Sequence, residues 1–179
     1  MGKKVLIIST SLRKKGNSDM LARSFAKGAE AAGNDVEIVS LADKQIEFCR
    51  GCFACQKTGK CIINDDAVQI TEKIAEGEVV VWATPIYYYE MTGQMKTMID
   101  RANALFVKDY KFRDIYMLSA AAEEDASACE RAITGLKGWI ACFPKSRFAG
   151  SVFAGGVTDK GDITGHKALD EAYDLGRNA

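Results

Sequence analysis

The chain has 179 residues with 24 basic and 24 acidic side chains and a formal net charge of zero. A length near that of one average domain sets a single unit over 1–179 as the expectation. The charge balance leaves no basic excess to release counterions from a nucleic-acid backbone, and no apolar run approaches the roughly 20 residues of a membrane span, so neither nucleic acid nor membrane is an expected partner.

"KVLIIS" (4–9) reads as the first strand. Its apolar run is shorter than the roughly 7–15 residues of a signal-peptide core and no small-residue cleavage site follows, so a cytoplasmic protein is expected. The next stretch, "STSLRKKGNS" (9–18), is rich in short hydroxyl side chains and leads into a helix on which Leu21, Ala22, Phe25 and Ala29 recur at helical spacing, stopping near Gly33. "DVEIVSL" (35–41) is a second strand. The cysteine-dense "CRGCFACQKTGKC" (49–61) follows, then a helix after "NDD" carrying Val68, Ile70 and Ile74 and stopping at Gly77. "EVVVWATP" (78–85) is a third strand, continued by three tyrosines. Met91, Met95, Met98, Ile99, Ala102 and Leu105 mark another helix. "DIYMLSA" (114–120) and "RFAGSVFAG" (147–155) are strands, with helical stripes Cys129–Ala132–Ile133–Leu136–Ile140 between them and Ala168–Leu169–Ala172–Tyr173 at the end. Five short strands, three of them too uniformly apolar to face water on one side, alternate with five helices and imply an α/β flavodoxin-like doubly wound five-stranded parallel sheet with helices on both faces, and 2-1-3-4-5 is one natural strand order.

In such a sheet ligands sit outside the carboxyl ends of the strands. The loop after Ser9 offers hydroxyls at Ser9, Thr10, Ser11 and Ser18, an amide at Asn17 and a guanidinium at Arg13, next to a helix N-terminus whose dipole favours an anion. It is neither a Walker loop nor a dinucleotide fingerprint, so a monophosphate suits it; an ordinary polar turn capped by Asn17 or Ser18 is the plainer reading. Aromatic faces at Tyr87 and Tyr88, after Pro85 and Ile86, suit a flat heteroaromatic ring or cover a sheet edge. The small residues of "SAAAEED" (119–125) permit close backbone approach.

"STSLRKKGNSDML", "CRGCFACQKTGKCIINDD" and "ATPIYYYEMTGQMKTMIDR", in this order, resemble the flavodoxin-like NAD(P)H-dependent FMN reductases, and most closely their iron–sulfur flavoprotein branch. The likeness extends over about 3–175. It implies FMN with its phosphate near Ser9, Ser11, Arg13, Asn17 and Ser18, and its ring against Pro85, Ile86, Tyr87 and Tyr88 and against Ala120, Ala121 and Glu123. NAD(P)H is then the electron donor and a small molecule such as a flavin or quinone the acceptor, in a homodimer or homotetramer. The chemistry belongs to the flavin and no catalytic side chain is implied. Two positions depart from the family: its glycine after the first serine is Thr10 here, and its proline before the arginine is Leu12.

The cysteines follow C-x2-C-x2-C-x5-C. On a helical turn Cys49, Cys52 and Cys55 are displaced by about 60° each and share a face, and with Cys61 they could surround a cubane (4Fe-4S) cluster. The resemblance supports the same ligand set. Three other readings stand beside it: an apolar thiol face at a subunit contact, zinc, and a thiol switch. Cys129 and Cys142 are expected in the core. His166 reads as a surface residue at the start of the last helix, and Asp65 and Asp66 as favourable charges at a helix N-terminus. The alternatives to an FMN-dependent oxidoreductase are an iron–sulfur flavoprotein acting as an electron carrier, a thiol–disulfide enzyme using Cys52 and Cys55, and a non-catalytic flavodoxin-like module. A receiver domain is disfavoured because Ser9-Thr10-Ser11 replaces the acidic pocket such a module needs.

Overall fold

The structure is a computed structural model and describes residues 2–179. In chain order it contains β1 (Lys4–Ser9), α1 (Asn17–Ala31), β2 (Asp35–Ser40), α2 (Ala54–Thr58), α3 (Asp66–Glu76), β3 (Val79–Tyr87), β4 (Glu90–Met91), α4 (Gly93–Arg101), β5 (Asp114–Ala120), α5 (Glu130–Ile140), β6 (Arg147–Ala154) and α6 (Ala168–Arg177). Five strands run parallel in the order β2-β1-β3-β5-β6, and two-residue β4 pairs antiparallel with the end of β3. The expected α/β parallel sheet is therefore present. The expected order 2-1-3-4-5 is met only in part, because β4 was not anticipated and the sheet has six strands.

Alternation along the strands divides the core into two layers. Val5 and Ile7 of β1 and Val79 and Val81 of β3 face α1 and α6. Leu6, Ile8, Val80 and Trp82 face α3, α4 and α5. Val79 through Ala83 have no solvent exposure, which is why the sequence here shows a run rather than an alternation. Each such aliphatic contributes about 1.5–3 kcal/mol of burial. Among the described residues no helix is long and apolar enough to cross a membrane.

Several boundaries shift from the sequence reading. Met91 lies in β4 and Thr92 caps α4, so the methionine stripe starts a turn later; after Arg101 the chain tightens into a 3-10 segment through Val107. Cys129 closes a 3-10 turn ahead of α5. The three cysteines expected on one helical face are not on one helix. α2 begins at Ala54, with Gly51 and Phe53 at φ 62° and 55°, and this left-handed backbone breaks the turn so that Cys49 and Cys52 precede the helix that carries Cys55. Cys142 is exposed, not core; Cys129 is buried as expected.

α1 and α6 pack through glycines. A Cβ on Gly28 would collide with the Tyr173 carbonyl, and one on Gly176 with the Phe25 carbonyl. Gly28→Ala is expected to lose about 1–3 kcal/mol of stability in a denaturant melt. Gly138→Ala, in α5 with open space around the added carbon, should instead hold or gain up to about 1 kcal/mol.

Candidate functional site

The carboxyl ends of β1, β3 and β5 lie at one edge, where three buried threonines join β1 and β3 to the start of α4. Thr10 donates from N and from Oγ1 to the Ala83 carbonyl, at 2.8 and 3.0 Å. Its Oγ1 lies 3.1 Å from Thr92 Oγ1, which accepts from Met95 N as the N-cap of α4. Thr84 Oγ1 accepts from Thr92 N and donates to the Pro85 carbonyl. Thr10, at the position where the resembled family carries glycine, is thus accommodated by directing its hydroxyl inward.

Beside this cluster lies a recess. Of the residues expected to hold a ligand, Ser11, Arg13, Asn17 and Ser18 line it from the β1–α1 loop, Pro85, Ile86 and Tyr87 from β3, and Ala120 and Ala121 from β5. Gly16, the N-cap of α1, lines it too; a Cβ there would come within 2.9 Å of Ser11 Oγ and 3.0 Å of the Arg13 carbonyl. The plainer reading, that Asn17 or Ser18 is the cap, is not what forms. Ser18 Oγ is buried and has no hydrogen-bond partner. The first-turn N–H groups of α1 also lack intrahelical partners, so this corner of the recess presents unused donors.

Three expected residues lie off the wall. Ser9 is fully buried and its Oγ donates to Asp19 Oδ1 at 3.1 Å, because strand alternation points it under α1. Tyr88 is 98% exposed at the tip of the β3–β4 hairpin, where it and Tyr89 have φ 51° and 65°. Glu123 turns its carboxylate back to accept from Glu124 N and Asp125 N. Sequence reasoning missed a fourth loop, after β6, which adds Val157, Thr158 and Lys160. The signal was topological: this loop leaves the same edge of the sheet.

The cysteine segment sits apart from that wall. Cys49 and Cys52 are exposed, Cys55 is buried and accepts from Asn103 Nδ2 at 3.7 Å, and Cys61 accepts from Arg101 Nη2 at 3.5 Å. Among the described residues no group of three or more His, Cys, Asp or Glu side chains is assembled to hold a metal ion. The donor chemistry of four thiols would suit an iron–sulfur cluster, but their arrangement does not gather them around one.

Arg101 holds this segment. Its buried guanidinium donates to Asp65 Oδ1 and Oδ2 at 2.8 and 2.6 Å and to the carbonyls of Glu47 and Ile63 at 2.7 and 3.1 Å. Asp65 also caps α3 by accepting from Ala67 N, the role its position suggested. Burial pushes the Asp65 carboxyl up, but the hydrogen bond from Arg101, the Glu47 N–H, the Arg101 charge and the Ala67 N–H outweigh it and hold the group below the usual carboxylate range. Burial likewise disfavours the Arg101 cation, and Asp65 and Cys61 more than restore it. His166 serves the last helix, its Nδ1 accepting from Ala168 N.

A model of the family described as NADPH-dependent FMN reductase matches residues 3–157. An iron–sulfur flavoprotein of Methanocaldococcus jannaschii is 36% identical over 102 residues, 57% of this chain and 53% of the relative. An iron–sulfur flavoprotein of Archaeoglobus fulgidus is 38% identical over 98 residues, 55% of this chain and 44% of the relative. The chain spans about half the length of these curated relatives. Among solved structures, an NAD(P)H:quinone oxidoreductase from Methanothermobacter marburgensis superposes with a TM-score of 0.79 at 16% identity, covering 99% of this chain and 96% of the other, a likeness of fold.

Arg101→Ala is expected to cost about 3–5 kcal/mol, because it leaves the Asp65 carboxylate buried without its counter-charge. A carboxyl depressed in the fold stabilises above its unfolded pKa of about 3.9 and stops doing so as pH falls through the lower folded value. Urea melts at stepped pH should therefore show the gap between wild type and variant wide at neutral pH and narrowing below about pH 4.

Proposed function

This chain belongs to the NADPH-dependent FMN reductase family, and on that premise we propose that it holds FMN in the recess at the sheet's carboxyl edge and passes electrons from NAD(P)H to a small acceptor such as a flavin or quinone. The observation that carries the reading is the donor-lined corner at the start of α1. Ser18 Oγ is buried there without a partner, a Cβ on Gly16 would crowd Ser11 Oγ and the Arg13 carbonyl, and the recess wall carries Arg13 and Lys160 but no carboxylate. A buried hydroxyl with no partner costs about 1–3 kcal/mol, a deficit that a phosphoryl oxygen would remove.

Ser11, Arg13, Asn17 and Ser18 would hold the phosphoryl group, and Pro85, Ile86, Tyr87, Ala120 and Ala121 would flank the ring system. Ser9 would act indirectly through Asp19, while Tyr88 and Glu123 stand at the rim. The wall contains no Asp, Glu, His or Cys that could serve as general acid or base. When bound, FMN supplies the electron-transfer chemistry, taking electrons in pairs and releasing them singly or in pairs. The protein's part is to fix the phosphate, exclude water from one side of the ring and leave the other open to donor and acceptor in turn.

The relatives named iron–sulfur flavoproteins favour a second reading, an electron carrier with a cluster on Cys49, Cys52, Cys55 and Cys61. With the thiols ungathered we route no step through a cluster. We further read residues 1–179 as one flavodoxin-like domain, because every strand joins one sheet, and keep the cytoplasmic location as a reading of the sequence. Exposed Phe48, Phe53, Ile62, Phe106 and Val107 suit a homodimer or homotetramer. Analytical ultracentrifugation should then show a mass of at least two chains; a monomer at micromolar concentration would count against it.

Titration of apoprotein with FMN should quench flavin fluorescence stoichiometrically, and the complex should oxidise NADPH or NADH in the presence of a quinone. Ser18→Ala is expected to weaken FMN about tenfold. Wild-type protein that leaves FMN fluorescence unchanged would refute the assignment.

A further inference from the structure

The β1–α1 loop spends much of its polar capacity before any ligand arrives. Arg13 Nη1 donates to the Thr158 carbonyl at 3.1 Å. Asn17 is engaged at both ends of its amide: Nδ2 donates to the Asp159 carbonyl at 3.0 Å, and Oδ1 accepts from Ile163 N at 3.4 Å. These bonds fasten the loop between β6 and α6 to the recess. The same loop is braced from within, since Asp162 Oδ2 accepts from Thr158 N and Asp159 N at 2.9 and 2.7 Å. Gly161 follows at φ 101°, a conformation that suits glycine, and Thr164 N donates to its carbonyl. Lys160 is therefore carried on a loop tied down on both sides of it.

Lys160 lines the recess and takes part in none of the ion pairs among the described residues. Arg13 is the one other cation on the wall, and it too is without a carboxylate partner. A phosphate monoester carries about −1.5 to −2 charge at neutral pH, so a single guanidinium leaves it under-compensated. Independently of charge, the unpartnered buried hydroxyl of Ser18 lines the same space and marks where an acceptor is wanted. Resting on the FMN reading above, we propose that Lys160 is a phosphate-binding residue of this site, carried to the recess by a β6–α6 loop that Arg13 and Asn17 hold in position.

Lys160 is exposed, so its removal leaves the core untouched and the apoprotein melting temperature unchanged. The test titrates apoprotein with FMN and, separately, with riboflavin, which lacks the phosphate. For Lys160→Gln the FMN dissociation constant should rise about three- to tenfold, the range of a solvent-screened ion pair with some hydrogen-bond character, while riboflavin affinity stays as in wild type. Lys160→Arg should restore most of the loss. The kcat/KM ratio for NADPH against NADH should not move. An unchanged FMN-to-riboflavin ratio in Lys160→Gln overturns the proposal, as does a loss confined to the NADPH-to-NADH ratio, which would assign the ammonium to the nucleotide instead. Failure of the wild type to bind FMN is a separate result and removes the parent reading as well.

Discussion

The carboxyl edge of the sheet depends on how three buried hydroxyls share their protons. Thr10, Thr84 and Thr92 each have one hydrogen to give. Thr10 gives its hydrogen to the Ala83 carbonyl and Thr84 gives its own to the Pro85 carbonyl. The short Thr10–Thr92 contact then requires Thr92 as donor, while Thr92 also accepts from Met95 N and Thr84 accepts from Thr92 N. With that assignment each hydroxyl both gives and receives. The cluster couples the end of β1, the end of β3 and the start of α4, so the loops bearing the recess leave from one fixed point. A valine at Thr84 would fill nearly the same volume but leave the Thr92 N–H and the Pro85 carbonyl without these bonds, at about 1–3 kcal/mol apiece.

Backbone strain is concentrated along the loops at this edge. The non-glycine residues with positive φ are Lys15, Phe53, Tyr88 and Tyr89. Lys15 precedes the α1 cap, Phe53 caps α2, and the two tyrosines form the tip of the β3–β4 hairpin, where asparagine and glycine would be at ease. Each costs of order 1–3 kcal/mol and persists because its surroundings hold it. At the hairpin the result is that Tyr88 stands exposed at the tip while Tyr87, one residue earlier, lines the recess.

How far this was legible depends on the kind of signal. Strands and helices were readable because burial on both sheet faces forces apolar runs, and helical stripes recur at three and four. Ser11, Arg13, Asn17 and Ser18 were readable as a group from the loop's composition, and Pro85, Ile86 and Tyr87 from their place after a strand. Ser9 lies off the recess wall because it still belongs to β1, and strand alternation decides where its hydroxyl points. Tyr88 stands off the wall because a two-residue turn reverses the chain there. The common helical face assigned to Cys49, Cys52 and Cys55 failed at Gly51 and Phe53, whose backbone no spacing rule anticipates. Thr158 and Lys160 carry no periodic pattern at all. They reach the recess through long-range bonds from Arg13 and Asn17, about 145 positions away in the chain.

The thiol segment and the recess share no wall residue, and α4 spans the distance between them. Its N-cap is Thr92, a member of the hydroxyl cluster at the recess. Its last residue is Arg101, which grips Asp65, the Glu47 and Ile63 carbonyls and the Cys61 sulfur. Nine helical residues span about 13 Å, so a short rigid rod links the two centres. Asn103, just beyond the rod, reaches the Cys55 sulfur. A change at Cys61 or Cys55 would bear on Arg101 or Asn103 at the end of this rod, whereas Cys49 and Cys52 are exposed and ahead of α2.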